Sequence, residues 1–248
     1  MNRKKLIEKI INLSHKKKEG HIASSLSVLD ILYTLYSNKT ENDSIILSKG
    51  HASLGLYAVL NHLGIISDEK LDTYCDIDSE LGGHPALKMG IIEASTGSLG
   101  HGFPIGAGKA LAKKIKKEKG NVYVVAGDGE MNEGSMWETL LFAHSNNIHN
   151  LKLIIDYNHS NDRAILLESL ESKIRSFNWD VDVIDGHNYY ELRKVLDRIT
   201  VAPHCIIANT IKGNGISFME NNPEWHHKIP NQEDIKLIRE ELYEKTIY

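Results

Sequence analysis

The sequence predicts an α/β protein in which a parallel β-sheet is sandwiched by helices. Three observations carry that expectation. Residues 121–126 form a β-branched apolar run, 127–133 a glycine- and acid-rich loop, 134–147 a helix and 151–156 a second apolar run. Strand, helix and strand at this spacing make a right-handed crossover. Two more strand-length runs, 180–184 and 204–209, flank a helical segment at 189–198. No internal repeat, low-complexity tract or Pro/Ser linker interrupts the 248 residues, so one α/β domain over 1–248 is expected.

The remaining elements follow in order. Residues 3–18 carry apolar positions at helical spacing. Their charged start resembles an export signal, but Glu8 and Lys9 break the apolar part, leaving an amphipathic helix. Val28, Leu29, Ile31, Leu32 and Leu35 give 27–36 one apolar helical face. Residues 44–47 read as a short buried strand ending at Ser48-Lys49-Gly50-His51, and a helix runs through 56–63. Residues 75–103, rich in Gly, Ser, His and Pro, read as functional loops, and 104–118 return to helix. A loop at 219–230 and a helix at 232–245 close the chain.

Composition excludes several classes of function. The chain is 41% hydrophobic and 25% charged with a formal net charge of −4, which supports neither nucleic-acid nor membrane-surface binding. The basic runs at 16–18 and 113–119 are solvated helix faces. No apolar stretch approaches the ~18 residues of a membrane span. Cys75 and Cys205 stand far apart without a CxxC pair, which points to a reduced, cytoplasmic setting. Histidine is the unusual residue. Five of the 13 follow glycine directly, at His21, His51, His84, His101 and His187, so several loops present imidazoles, as loops around one cleft would.

The crossover places Asp128 just beyond one strand and Asn158 just beyond the next. Adjacent strand ends lie only ~5 Å apart, so a carboxylate and an amide oxygen converge at the sheet's carboxyl edge. Two hard ligands are too few for a calcium cage but suit magnesium, which fills its octahedron with phosphate oxygens and water. Gly127 and Gly129 admit backbone N–H groups to those phosphates, and the following helix adds its N-terminal dipole. Other motifs fail. Position twelve of a loop starting at Asp128 is not glutamate, Gly108-Lys109 lacks the Ser/Thr of a Walker loop, and Ser98 lacks the GxSxG context.

With these residues in view, "GDGEMNEGSMWETLLFAHSNNIHNLKLIIDYN" resembles the thiamine-diphosphate motif, and the wider sequence is similar to transketolases. The similar segments are "GHIASSLSVLDILYTLY", "ILSKGHASLGLYAVL", "GGHP", "EASTGSLGHGFPIGAGKAL" and "IKGNGISFMENNPEWHHKIPN", in family order over about 5–232. The resemblance implies a thiamine-diphosphate-binding fold of the diphosphate (PP) type. It also implies that Asp128, Asn158 and Ser160, the last through its backbone carbonyl, ligate Mg²⁺ or Ca²⁺. Gly127, Asp128, Gly129, Glu130 and Asn158, with His51, Ser98, Leu99 and His101, would bind the cofactor. His21, His84 and His226 would face sugar hydroxyls and assist proton transfer, with His227 as a competitor for the role of His226. Glu133 would link cofactor sites near a dimer interface. His15, His62, His187 and His204 take structural roles.

Two departures stand out. After Asn158 the segment "HSNDRAILLESLESK" is about five residues shorter than the family pattern and carries Ser160 where an apolar residue is common. The sequence also stops at Tyr248, after the diphosphate-binding part. The resemblance therefore implies one subunit of a split transketolase, working with a separately encoded C-terminal partner in an α₂β₂ assembly that acts on sugars or sugar phosphates. Another thiamine-diphosphate enzyme, either 2-oxo acid dehydrogenase alpha-like or deoxyxylulose-phosphate-synthase-like, remains open. So does a non-catalytic scaffold. A Rossmann oxidoreductase lacks its GxGxxG after the first strand.

Overall fold

Strands buried on both faces are largely apolar, and their alternate residues feed two different cores. The computed structural model, which describes residues 1–162 and 165–244, has this arrangement. Five strands, Ser44–Leu47 (β1), Val122–Gly127 (β2), Leu151–Tyr157 (β3), Asp180–Asp185 (β4) and His204–Asn209 (β5), form one sheet. All neighbours are parallel, in the order β1-β2-β3-β5-β4. Ile45, Leu47, Val125, Ile154 and Ile206 face one core, and Val122, Val124, Leu153, Ile155 and Ile207 face the other.

Helices Arg3–Lys17 (α1), Ile22–Asn38 (α2), Ser53–His62 (α3), Tyr189–Leu196 (α8) and Gln232–Glu244 (α9) contribute to the first core. Asp68–Asp72 (α4) adds Leu71 to it. Gly102–Lys116 (α5), Gly134–Ser145 (α6) and Leu170–Ser176 (α7) contribute to the second. The expected α/β sandwich is therefore present. Among the described residues no helix is long and apolar enough to cross a membrane.

The differences from the sequence reading have local causes. Helix α2 starts at Ile22, five residues before the expected 27, because Ser24, Ser25 and Ser27 interrupt the apolar pattern yet are fully buried. Short helices α4 and α7 and single turns at Gly50–Ala52, Asp128–Asn132 and Pro223–His226 occupy stretches read as loop or left unassigned. In α4 the Ser67 hydroxyl caps the Lys70 N–H at 3.1 Å, a local bond that apolar periodicity does not reveal.

One buried network joins four elements beneath the carboxyl edge. Asp156 of β3 is fully buried and pairs with Lys49, which follows β1 and is 1% exposed. Ser27 of α2 donates to Asp156 Oδ2 at 2.7 Å, and the hydroxyl of Thr210, just past β5, donates to Oδ1. Burial alone would push the Asp156 carboxyl up, but the Lys49 ammonium and the two hydroxyls outweigh it and hold the pKa below the usual value. Removing one member of such a pair leaves an uncompensated buried charge, a loss of about 3–5 kcal/mol. Lys49→Met is accordingly expected to lower unfolding free energy by about that amount, measured by urea denaturation with an unchanged slope.

Candidate functional site

Register fixes the site. Gly127 of β2 pairs with Asp156 of β3, so the residues that follow them emerge side by side at the carboxyl edge. Asp128 is 3% exposed and accepts the Gly129 N–H at 2.8 Å. The Ser160 hydroxyl approaches its Oδ1 and the Asn161 N–H its Oδ2, both at 3.4 Å. The Asn158 amide nitrogen points into the buried network, 3.3 Å from Asp156 Oδ2, while its Oδ1 accepts the Ser160 N–H at 3.2 Å. Asp128, Asn158 and Ser160 are thus together, the first two as the spacing required.

The electrostatics of this corner favour a hard cation. Burial and the nearby Asp156 raise the Asp128 pKa, and among the described residues no cationic side chain forms an ion pair with it. A buried carboxylate with amide and hydroxyl oxygens beside it is a donor set that Mg²⁺ or Ca²⁺ fits. Lys212 supplies the complementary charge. It is 5% exposed, its pKa is lowered to about 8 by burial and by Lys49, and its Nζ lies 2.7 Å from His226 Nδ1. A metal-bound diphosphate would satisfy both groups. Asn158, Ser160, Lys212, His226 and Asn222 line one cleft of about 490 Å³.

Histidines gather beside the cleft. The His21 ring centroid lies 5.3 Å from that of His51, 5.5 Å from His226 and 4.5 Å from His227. His84 is close enough to lower the His21 pKa and packs over Gly97. Burial, then neighbouring positive groups, keeps His21 neutral down to about 4 and His51 down to about 2. His226 is also lowered, by burial and Lys212. The two candidates at the 226–227 pair separate here. Both rings are exposed and both neighbour His21, but it is His226 whose Nδ1 meets the Lys212 Nζ.

Gly127 and Gly129 flank Asp128 at the strand end. Glu130 is 1% exposed, and its carboxylate accepts from the Ser48 hydroxyl at 2.6 Å, the Gly100 N–H at 3.1 Å and the Gly127 N–H at 2.9 Å. That side chain is therefore bound up inside the scaffold. Ser98, Leu99, His101 and Glu133 form an exposed rim. Gly100, at φ +73°, lets this loop press against α6, where an added Cβ would lie 2.6 Å from that of Glu133.

Sequence reasoning missed Lys49, Asp156 and Lys212. A lone acid inside the apolar run of β3 was a usable signal, because such a group needs a buried cation. Structural roles for His187 and His204 agree with their bonds. His187 Nδ1 lies 2.8 Å from Asp30 and its Nε2 accepts the Ile211 N–H, while His204 Nε2 lies 2.8 Å from Asp182.

Comparison with known proteins gives this geometry its family. Residues 4–245 match the model of the transketolase thiamine diphosphate binding domain. The chain belongs to the transketolase family. It is 35% identical over 262 residues to the first of the named subunits of apulose-4-phosphate transketolase in Phocaeicola vulgatus, covering 98% of this chain and 92% of that one. It is 38% identical over 244 residues to the protein of the same name from Actinobacillus succinogenes, covering 90% and 87%. Among solved structures, transketolase from Campylobacter jejuni superposes with a TM-score of 0.89 at 27% identity. That match covers 97% of this chain but only 42% of the longer one. The fold is that of the transketolase thiamine-diphosphate-binding domain.

Two outcomes follow from the site's charges. Asp128→Asn removes a carboxylate that faces Asp156, so the metal-free chain should be at least as stable as the parent in thermal melts. In calorimetry the same variant should lose Mg²⁺-dependent thiamine diphosphate affinity by at least ~100-fold, more than the 10–100-fold typical of outer-shell losses. The second outcome concerns His204, which burial and Lys152 keep neutral down to about 4 although it is bonded to Asp182. Its folded pKa lies below the ~6.5 of an unfolded imidazole, so the unfolded chain binds the extra proton. Stability is full above about pH 6.5 and falls toward pH 4, and His204→Gln should remove up to ~1.4 kcal/mol per pH unit from that slope, read by denaturation across the window.

Proposed function

We propose that this chain is the thiamine-diphosphate-binding subunit of a split transketolase that moves a two-carbon ketol unit from a ketose or ketose phosphate to an aldose. One observation carries the reading: the oxygen clamp at Asp128 and the histidine cluster meet around Lys212 and His226 at one cleft. A metal–diphosphate site alone would fit many enzymes. Neutral imidazoles beside it suit a polyol, whose hydroxyls need both donors and acceptors. The names of the two bacterial relatives support the split arrangement, since each is one subunit of a transketolase and this chain nearly spans it.

In this reading Asp128, Asn158 and Ser160 hold Mg²⁺ or Ca²⁺, and Lys212 neutralises the diphosphate. Thiamine diphosphate, when bound, supplies the electron sink for breaking the ketose carbon–carbon bond. The Lys212 ammonium donates to His226 Nδ1, so the neutral imidazole carries its proton on Nε2, available to a sugar oxygen. His21 and His51, neutral at working pH, orient hydroxyls and relay protons without adding charge. Glu133 and the exposed loop 98–101 face the rest of the assembly. The pyrimidine-binding domain comes from a separately encoded C-terminal subunit in an α₂β₂ complex, in the cytoplasm.

The test combines the purified chain with that C-terminal subunit, thiamine diphosphate and Mg²⁺. Two-carbon transfer from a ketose phosphate, with apulose 4-phosphate among those tried, is expected only when both chains are present. Transfer by this chain alone would overturn the split arrangement. Turnover of pyruvate but of no ketose would instead make it part of a 2-oxo acid enzyme.

A further inference from the structure

Beyond the oxygen clamp, a second cluster of ligand atoms lies at the histidine end of the cleft. Glu19, in the turn after α1, His21, just before α2, and His227, after the last single turn, bring one ligand atom each within 4.8 Å of one another. His227 Nε2 is 3.8 Å from Glu19 Oε1, and the His21 and His227 ring centroids are 4.5 Å apart. A Cβ on Gly20 would lie 2.5 Å from the His227 carbonyl oxygen, so the two backbones are in direct contact. The Glu19 carboxyl group is braced over Gly83, beside His84.

We propose that Glu19, His21 and His227 form a site for a divalent transition ion of the zinc class, and that its occupancy competes with the sugar for His21. Two imidazole nitrogens and a carboxylate oxygen, with a further position open, are a recurrent zinc donor set. Tetrahedral ligands at ~2.0–2.2 Å from the metal sit roughly 3.4 Å from one another, so small side-chain rotations close the present spacing. Imidazole donors select transition ions, whereas the oxygen-only clamp at Asp128 selects Mg²⁺ or Ca²⁺. Donor chemistry thus keeps the two ions apart. His227 is 64% exposed, which gives an ion direct access from solvent. His21 is already neutral at physiological pH, as a metal ligand must be.

The alternative is a surface ion pair between Glu19 and His227, which at 3.8 Å is too long for a hydrogen bond and contributes little. The competition part rests on the proposed function, because it needs His21 to face the sugar; the ion site itself does not.

Cobalt(II) chloride titrated into the full chain, with Mg²⁺ saturating, distinguishes these cases. The expected result is a visible band of low-coordinate cobalt at one equivalent, bleached by zinc chloride. Glu19→Gln and His227→Ala should each weaken binding by at least ~10-fold, no less than an outer-shell loss produces. Both should melt like the parent, and His62→Ala should retain the band. No band in the parent, or equal affinity in both variants, overturns the site. With the partner subunit present, zinc should raise the apparent KM for the ketose without changing kcat, and Glu19→Gln should abolish the effect. Zinc inhibition that survives Glu19→Gln, or that lowers kcat alone, overturns the competition. Thiamine diphosphate binding is scored separately. A cobalt band without Mg²⁺-dependent cofactor binding sinks the proposed function and leaves the ion site standing, and the reverse result does the opposite.

Discussion

The Lys49–Asp156 pair is the interaction on which the site depends. Asp156 is a pure acceptor when ionised, so every group around it must present a proton: the Lys49 ammonium, the Ser27 and Thr210 hydroxyls and the Asn158 amide nitrogen. That last requirement reaches the surface of the cleft. With its nitrogen claimed by Asp156, Asn158 must turn its oxygen the other way, toward Ser160 and the corner of Asp128. A buried ion pair is weak evidence for stability, because desolvation offsets most of the attraction. Here its consequence is orientational: it decides which end of an amide a metal would meet.

The same pair shapes the charge of the histidine cleft. Lost hydration, and then the Lys49 charge buried beside it, drive the His51 pKa down to about 2. Lys212 acts on His226 in the same direction. The positive charge of the region therefore resides on two lysines at fixed positions, and the imidazoles between them stay neutral. A neutral imidazole can give a proton at one nitrogen and take one at the other, while a cluster of imidazolium ions could only give. Under the proposed function, this partition of charge between lysine and histidine would let one cleft attract a diphosphate and still serve hydroxyl groups of both roles.

The crossover from β2 through α6 to β3 was legible because its signals are local: a β-branched run, glycines, a periodic helix, another apolar run. Asp128 and Asn158 were legible for the same reason, as each sits at the end of its own strand and parallel register does the rest. The start of α2 was not, because Ser24 and Ser27 look like loop residues until Asp156 and Lys49 are seen against them. Lys49, Asp156 and Lys212 are widely separated along the chain, and only the sheet order β1-β2-β3-β5 brings their elements to one edge. Periodicity records which residues share a face; it carries no record of which distant charges share a cavity. The insertion of β5 between β3 and β4 did leave a signal, since DVDVID in β4 alternates acids with apolar residues as an edge strand can, whereas HCIIAN in β5 is a nearly continuous buried run.

Glu130 and Glu133 show how the clamp and the exposed rim are mechanically one piece. Neighbours at one turn, they have opposite fates. Glu130 is buried and holds Ser48, Gly100 and Gly127 by three hydrogen bonds, so its carboxylate links the ends of β1 and β2 to the loop before α5. Burial raises its pKa, and these three donors offset only part of that rise. Glu133 is exposed on the far side of Gly100, whose carbonyl is in turn bound by Ser135. Anything that presses on Leu99, His101 or Glu133 therefore bears on Gly100, through Gly100 on Glu130, and through Glu130 on the backbone of Gly127 next to Asp128. A surface contact at this rim meets the Asp128 corner through a chain of hydrogen bonds that burial makes costly to break.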